Sequence, residues 1–529
     1  MTSVCLINPW FGNKPPPLPS KQAFDNSPLG ILYLAGWLER AGHTPALLDM
    51  EVEGYRGIEY HLNLLGNCSL IGMSVMTEQI PNALHLSRII RNRWPGKAIV
   101  WGGVHPTLFP EETLRHELVD AVVVGEGERP LEILADLIET TGGTLPERAR
   151  RIWYGGGTVA PKHEEVFDLP IERHAAPAYH ILPQLRNYLE IDHWVRGPVR
   201  SLSIITSRGC PYNCTFCINV AARRRRTSFI PQELVIQQIG DLYDKFQVEH
   251  VFLMDENFFT NFHRAMHITE AMASMGITWE ANIRVDTLVR KFGSAGVAQL
   301  IRYGCILLRT GNESGSQRVL DMLEKRITPQ ETLEAAKICK QAGLSVAFSF
   351  MINLPHETTQ DMIATYKLIH AIGKVMPEAI FFGPQTYRPY PGSKLTEMCC
   401  ELGLQLPLTL DEWANVATQT GDGVLSAPKV VWNRQWPVAW YLSTYMTPPK
   451  KPLSKNPLRL FGYYRRLAFL ALLSFRLRKS FWWGLKVDTV LNVSLNQLGI
   501  MLRKLKLKLF RRFDGLAISP NLLKPSSDI

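Results

Sequence analysis

The chain of 529 residues has no apolar run near the roughly 20 residues that a membrane-spanning helix needs. The longest toward its end, 467–475, has nine residues and arginines at both sides. A transmembrane span is therefore not expected. No signal peptide is expected either, because Pro9 and the prolines at 15–17 break the early apolar stretch. Cysteine usage is ordinary, and six of the nine, Cys5, Cys68, Cys305, Cys339, Cys399 and Cys400, are scattered. That pattern excludes a disulfide scaffold and suits a reducing cytoplasm. A second C-x2-C knuckle is missing, which leaves a structural zinc site short of its usual four ligands. Acids are scarce near the end: residues 451–529 hold 16 Lys and Arg against 3 Asp and Glu, and the rest 42 against 45. The net charge of +10 therefore belongs to the tail, and an anionic partner is expected there rather than over the whole molecule.

What is present is concentrated in TSRGCPYNCTFC, residues 206–217, where Cys210, Cys214 and Cys217 form a C-x3-C-x2-C array. Cysteine thiolates hold iron–sulfur clusters, usually four to a 4Fe–4S cube. Three close thiolates with no evident fourth partner suggest a cube with one open iron, able to take a substrate or cofactor directly. Gly209 and Pro211 favour a loop that wraps a compact object.

Before this loop, residues 1–140 alternate strands and helices. Apolar strands are expected at 4–9, 46–50, 69–76, 98–103 and 121–127, with helices over 30–41 and 81–93. That order predicts a doubly wound parallel sheet, with ligands at the carboxyl ends of its strands. The loops there are TEQIP (77–81), GGVHP (102–106) and GEGE (125–128). Residues 141–195 read as a linker with short elements and no evident chemistry. Over 196–395 strands are expected at 201–207, 250–259, 279–285, 305–310, 346–352 and 380–384, which suggests a complete or partial (β/α) barrel. Cys210, Asp255, Glu256, Arg284, Glu313 and Asn353 fall at or near the ends of these strands, where barrel active sites lie. Residues 396–529 are expected to be mainly helical and basic. The fold class is α/β.

The cysteine array is the signature of the radical S-adenosylmethionine (radical SAM) enzymes, which the chain resembles. In that family SAM chelates the open iron, and one electron from the cluster cleaves it to methionine and a 5′-deoxyadenosyl radical. MDENFF, with Asp255 and Glu256, resembles the family's acidic turn, although both acids could instead cap the next helix. Residues 311–328 resemble its G-x-E-S-G segment, where an acid and a hydroxyl, Glu313 and Ser314, approach the ribose or amino group of SAM. Glu313 as a helix-cap carboxylate is the alternative. Residues 349–358 resemble the glycine-rich turn after the sixth strand, with Asn353 and His356 where glycines are usual. YPGSKL, 390–395, resembles the end of the module. The loops of the first region, with residues 27–43, are similar to the cobalamin-binding domain that precedes many radical SAM modules. That resemblance implies cofactor contacts from Thr77, Gly102, Gly103, Val104, His105, Gly125, Glu126 and Gly127. No D-x-H-x-x-G motif supplies a histidine to cobalt, so His105 is expected to cap a loop or pack beside the corrin.

The resemblance covers about residues 1–395 and implies methyl transfer to an unactivated carbon of a small-molecule or lipid-like substrate. One SAM would methylate the corrin and a second would give the radical. A 4Fe–4S cluster, SAM and cobalamin would be the cofactors, with an external electron donor of flavodoxin or ferredoxin type. A radical cyclase or rearrangement enzyme is the alternative, and a non-catalytic corrinoid- or lipid-binding protein the alternative from another class.

Two basic features remain. The arginines at 223–226 follow the cysteine loop and suit a nucleic-acid patch, a solvated face or a counter-charge near SAM. In the tail, Leu491, Leu495, Leu498, Leu502, Leu505 and Leu509 recur at steps of four and three, with cations between them. A basic amphipathic helix of this kind predicts peripheral contact with an anionic membrane, against the plainer reading of a stripe that covers the barrel. Nucleic acid is not expected, since no reader module accompanies the charge.

Overall fold

The computed structural model describes residues 1–12, 27–146, 152–154, 174–222 and 226–419. The leucine stripe and the arginines at 223–225 lie outside these residues.

The first unit runs β1 (Ser3–Asn8), α1 (Leu29–Arg40), β2 (Thr44–Asp49), β3 (Leu70–Ser74), α2 (Ile80–Arg93), β4 (Ala98–Gly102), β5 (Ala121–Val123), α3 (Glu128–Thr140) and β6 (Ile152–Tyr154). Its six strands are all parallel, in the order β2-β1-β3-β4-β5-β6. The central strands are buried on both faces, which is why they read as apolar runs rather than alternations. One face packs Leu6, Leu70 and Val100 against Leu32 of α1 and Leu131 and Leu134 of α3. The other packs Ile7, Ile71 and Trp101 against Leu84 and Ile90 of α2. β4 and β5 stop earlier than the sequence suggests, as Gly103 (φ 93°) and Gly125 (φ 77°) turn the chain. The strand order reverses beside β1, which places a crevice at the carboxyl ends of β1 and β3.

The second unit runs β7 (Glu190–His193), β8 (Gly197–Ile204), α4 (Gln232–Phe246), β9 (His250–Leu253), α5 (Phe262–Ser274), β10 (Thr278–Ile283), α6 (Gly293–Arg302), β11 (Cys305–Glu313), α7 (Pro329–Ala342), β12 (Ser345–Ile352), α8 (Thr359–Val375) and β13 (Ile380–Thr386). β8 through β13 are parallel neighbours in sequence order, and β7 pairs antiparallel with β8 at one edge. The sheet is thus an open, partial barrel. Its helices start on strong signals: Thr328 and Glu331 form a capping box before α7, and Thr358 and Asp361 another before α8.

The stretch 141–195, expected as a linker without chemistry, extends both sheets by contributing β6 and β7. It also supplies Tyr179, whose hydroxyl donates to Ser203 O at 2.8 Å and accepts from Ser203 N at 3.1 Å. Tyr33 of α1 does the same at Ile205, at 3.0 and 3.1 Å. Both tyrosines satisfy backbone groups of β8 and its extension beyond the four residues that pair with β7. Tyr33 thereby ties the first unit to the second.

After the barrel come α9 (Lys394–Glu401) and α10 (Leu410–Gln419). α10 returns to the first unit, where Trp413 packs against His105 and Phe109 at ring distances of 5.5 and 5.8 Å. Among the described residues, no helix is long and apolar enough to cross a membrane.

Candidate cofactor and active site

The cysteine loop leaves β8 under tight control. Asp255, fully buried at the end of β9, accepts from Thr206 N at 3.1 Å, from Thr206 Oγ1 at 2.8 Å and from Ser207 Oγ. Arg264 adds donors to Thr206 Oγ1 at 3.0 Å and Thr206 O at 2.7 Å. Burial raises the Asp255 pKa and these donors pull it back. Both its oxygens are taken up by the chain itself. The expectation of a cofactor contact is corrected on that point: Asp255 anchors the loop. Beyond it, Cys214 is buried and Cys210 and Cys217 half-buried. Thr215 is pinned from two sides, its N–H donating to Leu323 O at 3.1 Å and its carbonyl accepting from Leu395 N at 3.0 Å. Burial pushes the Cys210 and Cys217 thiols up, while Arg284 and Lys325 respectively pull them down. The same two cations sit over rings of the loop, Arg284 at 3.8 Å from the Tyr212 centroid and Lys325 at 5.5 Å from Phe216. Three thiols on a glycine-started, tightly held loop beside two cations fit an anionic iron–sulfur cluster.

The cations are themselves paired. Lys325 Nζ lies 2.8 Å from Glu313 Oε1, and Arg284 Nε 3.1 Å from Asp286 Oδ1. Glu256, Arg284 and Lys325 border a cavity of about 320 Å³ inside the barrel, with Asn282, Ser349 and Phe382. Ser314 does not face it: its hydroxyl shares a 3.0 Å hydrogen bond with Thr365 of α8. The expected approach of Ser314 to SAM is corrected accordingly. Glu313 (φ 62°), Asn353 (φ 67°) and His356 (φ 58°) all take left-handed backbone. That conformation explains why glycines are usual at the last two positions, and Asn is among the residues that tolerate it.

Sequence reasoning missed the barrel floor. His193 Nε2 lies 2.9 Å from Glu280 Oε2, and Arg309 Nη1 3.1 Å from Glu280 Oε1. Ligand atoms of His193, His250 and Glu280 come within 4.8 Å of one another. His193 Nδ1, however, accepts from the backbone N–H of Val195 and Arg196, each at 3.2 Å. The proton is therefore on Nε2 and is donated to Glu280, which makes the group a hydrogen-bonded floor rather than a metal site. His193 lies in the stretch expected to be a linker, so no signal pointed to it.

A second cavity, of about 260 Å³, opens at the strand ends of the first unit. Gly102, Gly103, Val104, Gly125, Glu126 and Gly127 line it, together with Gly72. The glycines keep it open. A Cβ on Gly103 would stand 2.8 Å from Val75 N, one on Gly127 3.0 Å from Leu34 Cδ2, and one on Gly72 3.0 Å from Leu6 Cδ2. An apolar slot with a floor stripped of side chains, at the switch point of a parallel sheet, fits a corrin and its nucleotide tail. Thr77 and His105 do not line it, which corrects the expected cofactor contacts. His105 is fully buried beside Phe109, with its Nδ1 3.2 Å from Thr77 Oγ1, and burial lowers its pKa to about 3. It is a neutral core residue.

The opposite wall of this cavity comes from the second unit, through Ile205, Arg208, Ile218, Asn219 and Ala222. Arg208 pairs with Glu126 and, at 2.6 Å, with Glu128. Its position inside the cysteine motif was the only hint the sequence offered.

Residues 20–135 match the B12 binding domain and residues 204–369 the Radical SAM superfamily. An uncharacterized methyltransferase of Pyrococcus horikoshii is 29% identical over 399 residues, 74% of this chain and 82% of that protein. The anaerobic magnesium-protoporphyrin IX monomethyl ester cyclase of Rubrivivax gelatinosus is 26% identical over 388 residues, 71% of this chain and 66% of that one. The radical SAM methyltransferase TsrM from Kitasatospora setae, solved with cobalamin and a [4Fe-4S] cluster bound, shares the fold. Its TM-score is 0.61 over 90% of this chain and 99% of that one, at 15% identity.

Proposed function

This chain belongs to the cobalamin-dependent radical SAM superfamily, and on that premise we propose that it transfers a methyl group to an unactivated carbon of a small-molecule substrate. The observation that carries the reading is a shared wall: the glycine-floored cavity of the first unit is closed by residues flanking the cysteine loop of the second. The two cofactor sites, of different chemistry, would thus adjoin across that wall. Cys210, Cys214 and Cys217 would hold the cluster. Glu256, Arg284, Glu313 and the turn at Asn353 would border SAM, and Gly102, Gly103, Val104, Gly125, Glu126 and Gly127 would border the corrin. When bound, the cluster supplies the electron that cleaves SAM, and cobalamin carries the methyl group.

The chain's own part is placement and exclusion. The apolar walls of the first cavity, with Leu6, Leu34 and Val123, keep water from the corrin face. Arg284 and Lys325 balance the charge of the cluster and of the SAM carboxylate, and Asp286 and Glu313 hold those cations in place. An electron donor of flavodoxin or ferredoxin type would supply the cluster from outside. The tail at 451–529, on its leucine stripe and 16 cations, would touch an anionic membrane and present a lipid-like substrate.

The second reading is a radical cyclisation on the same cofactors, which the likeness to the Rubrivivax gelatinosus cyclase favours. Product mass separates the two. The anaerobically reconstituted chain is incubated with methyl-labelled SAM, a reductant and cell extract, and small molecules are read by mass spectrometry. Methylation gives a product heavier by a labelled CH2, with two SAM consumed per turnover. A product with no label gained, formed with release of 5′-deoxyadenosine, would replace methylation by the second reading.

A further inference from the structure

The side chain of Arg208 leaves the second unit and ends in the first. Only Gly209 separates Arg208 from Cys210. Its guanidinium bonds Glu126 through Nη1 and lies 2.6 Å from Glu128 Oε1 through Nη2. It also lies 5.5 Å over the ring of Tyr33, whose hydroxyl holds Ile205 N and O at 3.1 and 3.0 Å. The three charged side chains are only 13%, 15% and 5% exposed. Buried charges of this kind tolerate little movement, because loss of any one partner leaves another uncompensated in an apolar wall. Arg208, Glu126, Glu128 and Tyr33 all line the glycine-floored cavity. One end of this network therefore meets whatever fills the cavity, and the other is bonded to the backbone that carries the cysteines.

We propose that Arg208 is a positioning residue through which occupancy of the glycine-floored cavity is transmitted to the cysteine loop. A corrin seated in the cavity fixes Glu126 and Glu128, these fix Arg208, and Arg208 fixes the backbone on the N-terminal side of Cys210. The surroundings of the cluster then differ between the corrin-loaded and corrin-free protein. This rests on the reading above that the cavity holds cobalamin and the cysteines hold the cluster.

The test uses the full chain with its cluster reconstituted anaerobically and then reduced. Low-temperature EPR of the cluster is recorded with and without added methylcobalamin, whose cobalt is diamagnetic and is not reduced by the cluster, so that a change reports the cluster's surroundings and not a second spin. Retained cobalamin is measured by absorbance. In the unaltered protein the g-values shift when cobalamin binds. In Arg208→Gln cobalamin is still retained, with affinity reduced no more than about tenfold, and the shift is lost. If Arg208→Gln fails to fold, Glu126→Gln, which leaves the Glu128 pair in place, shows a reduced shift. A residue that only stabilises the interface would lower the melting temperature and leave the shift intact. A shift that persists in these variants overturns the proposal, as does its absence in an unaltered protein that retains both groups. An unaltered protein that retains no cobalamin overturns the cofactor reading itself.

Discussion

The two cavities are built by opposite means. That of the first unit is shaped mainly by missing side chains: Gly72, Gly102, Gly103 and Gly127 form its floor, and its walls are mostly apolar, with charge confined to Arg208 and its partners Glu126 and Glu128. That of the barrel is shaped by charge, with Arg284, Lys325 and Glu256 at its border and Arg309 tied to Glu280 across its floor. A large ligand held over much of its surface can be selected by shape. Small ligands of high charge density need countercharges, and in a low-dielectric interior those must be fixed by partners of their own. The difference teaches where each site is vulnerable: the first to added volume, the second to lost charge.

Four changes would break or sharpen that contrast. The largest effect is expected from a Cys210/Cys214/Cys217→Ala triple change. Iron and sulfide, about four each per chain in the reconstituted protein, fall to background, and release of 5′-deoxyadenosine from SAM stops. Next, Gly102→Leu adds volume where the backbone accepts a side chain, since a Cβ there meets Val123 at an ordinary 3.4 Å. Cobalamin retention should fall at least about a hundredfold, as full overlap with a ligand removes several kcal/mol of binding. Iron content should be unchanged, which separates the two sites. Third, Lys325→Met leaves Glu313 buried without its partner and should lower stability by about 3 kcal/mol. The double change with Glu313→Leu should recover much of this, read by denaturant unfolding of the two proteins side by side. Cobalamin retention should respond to neither.

The fourth effect vanishes at neutral pH and appears only on acidification. Burial holds His105 neutral, with its pKa lowered to about 3. Its folded pKa is thus below the unfolded value near 6.5, so the unfolded chain binds the extra proton between these two pH values. The stability contribution of His105 is complete above pH 6.5 and is lost as pH falls, by about 1.4 kcal/mol per pH unit. His105→Phe should flatten the acid limb of the melting temperature between pH 6 and 4. An unchanged limb would place the acid sensitivity elsewhere, for example at His250, which burial and His193 also hold well below its ordinary pKa.

The sequence revealed the two regions unequally. The strands of the first unit were legible because burial on both faces leaves continuous apolar runs, and its glycine loops were legible because strand ends in a parallel sheet are where ligands sit. The cysteine array was legible because its chemistry is local. The interactions that join the units were not. Tyr33 reaches Ile205 across 172 positions and Tyr179 reaches Ser203 across 24, and neither leaves a periodic trace. Asp255 was read by its neighbours as a ligand, yet its partners Thr206 and Ser207 lie 49 and 48 residues away and come to it only in the folded sheet. His105 stands in a cavity-lining loop but turns into the core, where Trp413 of α10 packs against it. The arginines at 223–225 and the tail lie outside the described residues, so their expected roles stand on sequence alone.

The most direct measurement is whether the two redox centres sense each other. With cob(II)alamin and the reduced cluster bound together, the shared wall formed by Arg208, Ile218 and Asn219 predicts that their EPR signals are broadened or split by mutual magnetic interaction. Two unperturbed, additive signals from a protein that retains one of each would place the centres far apart and contradict sites that adjoin across that wall.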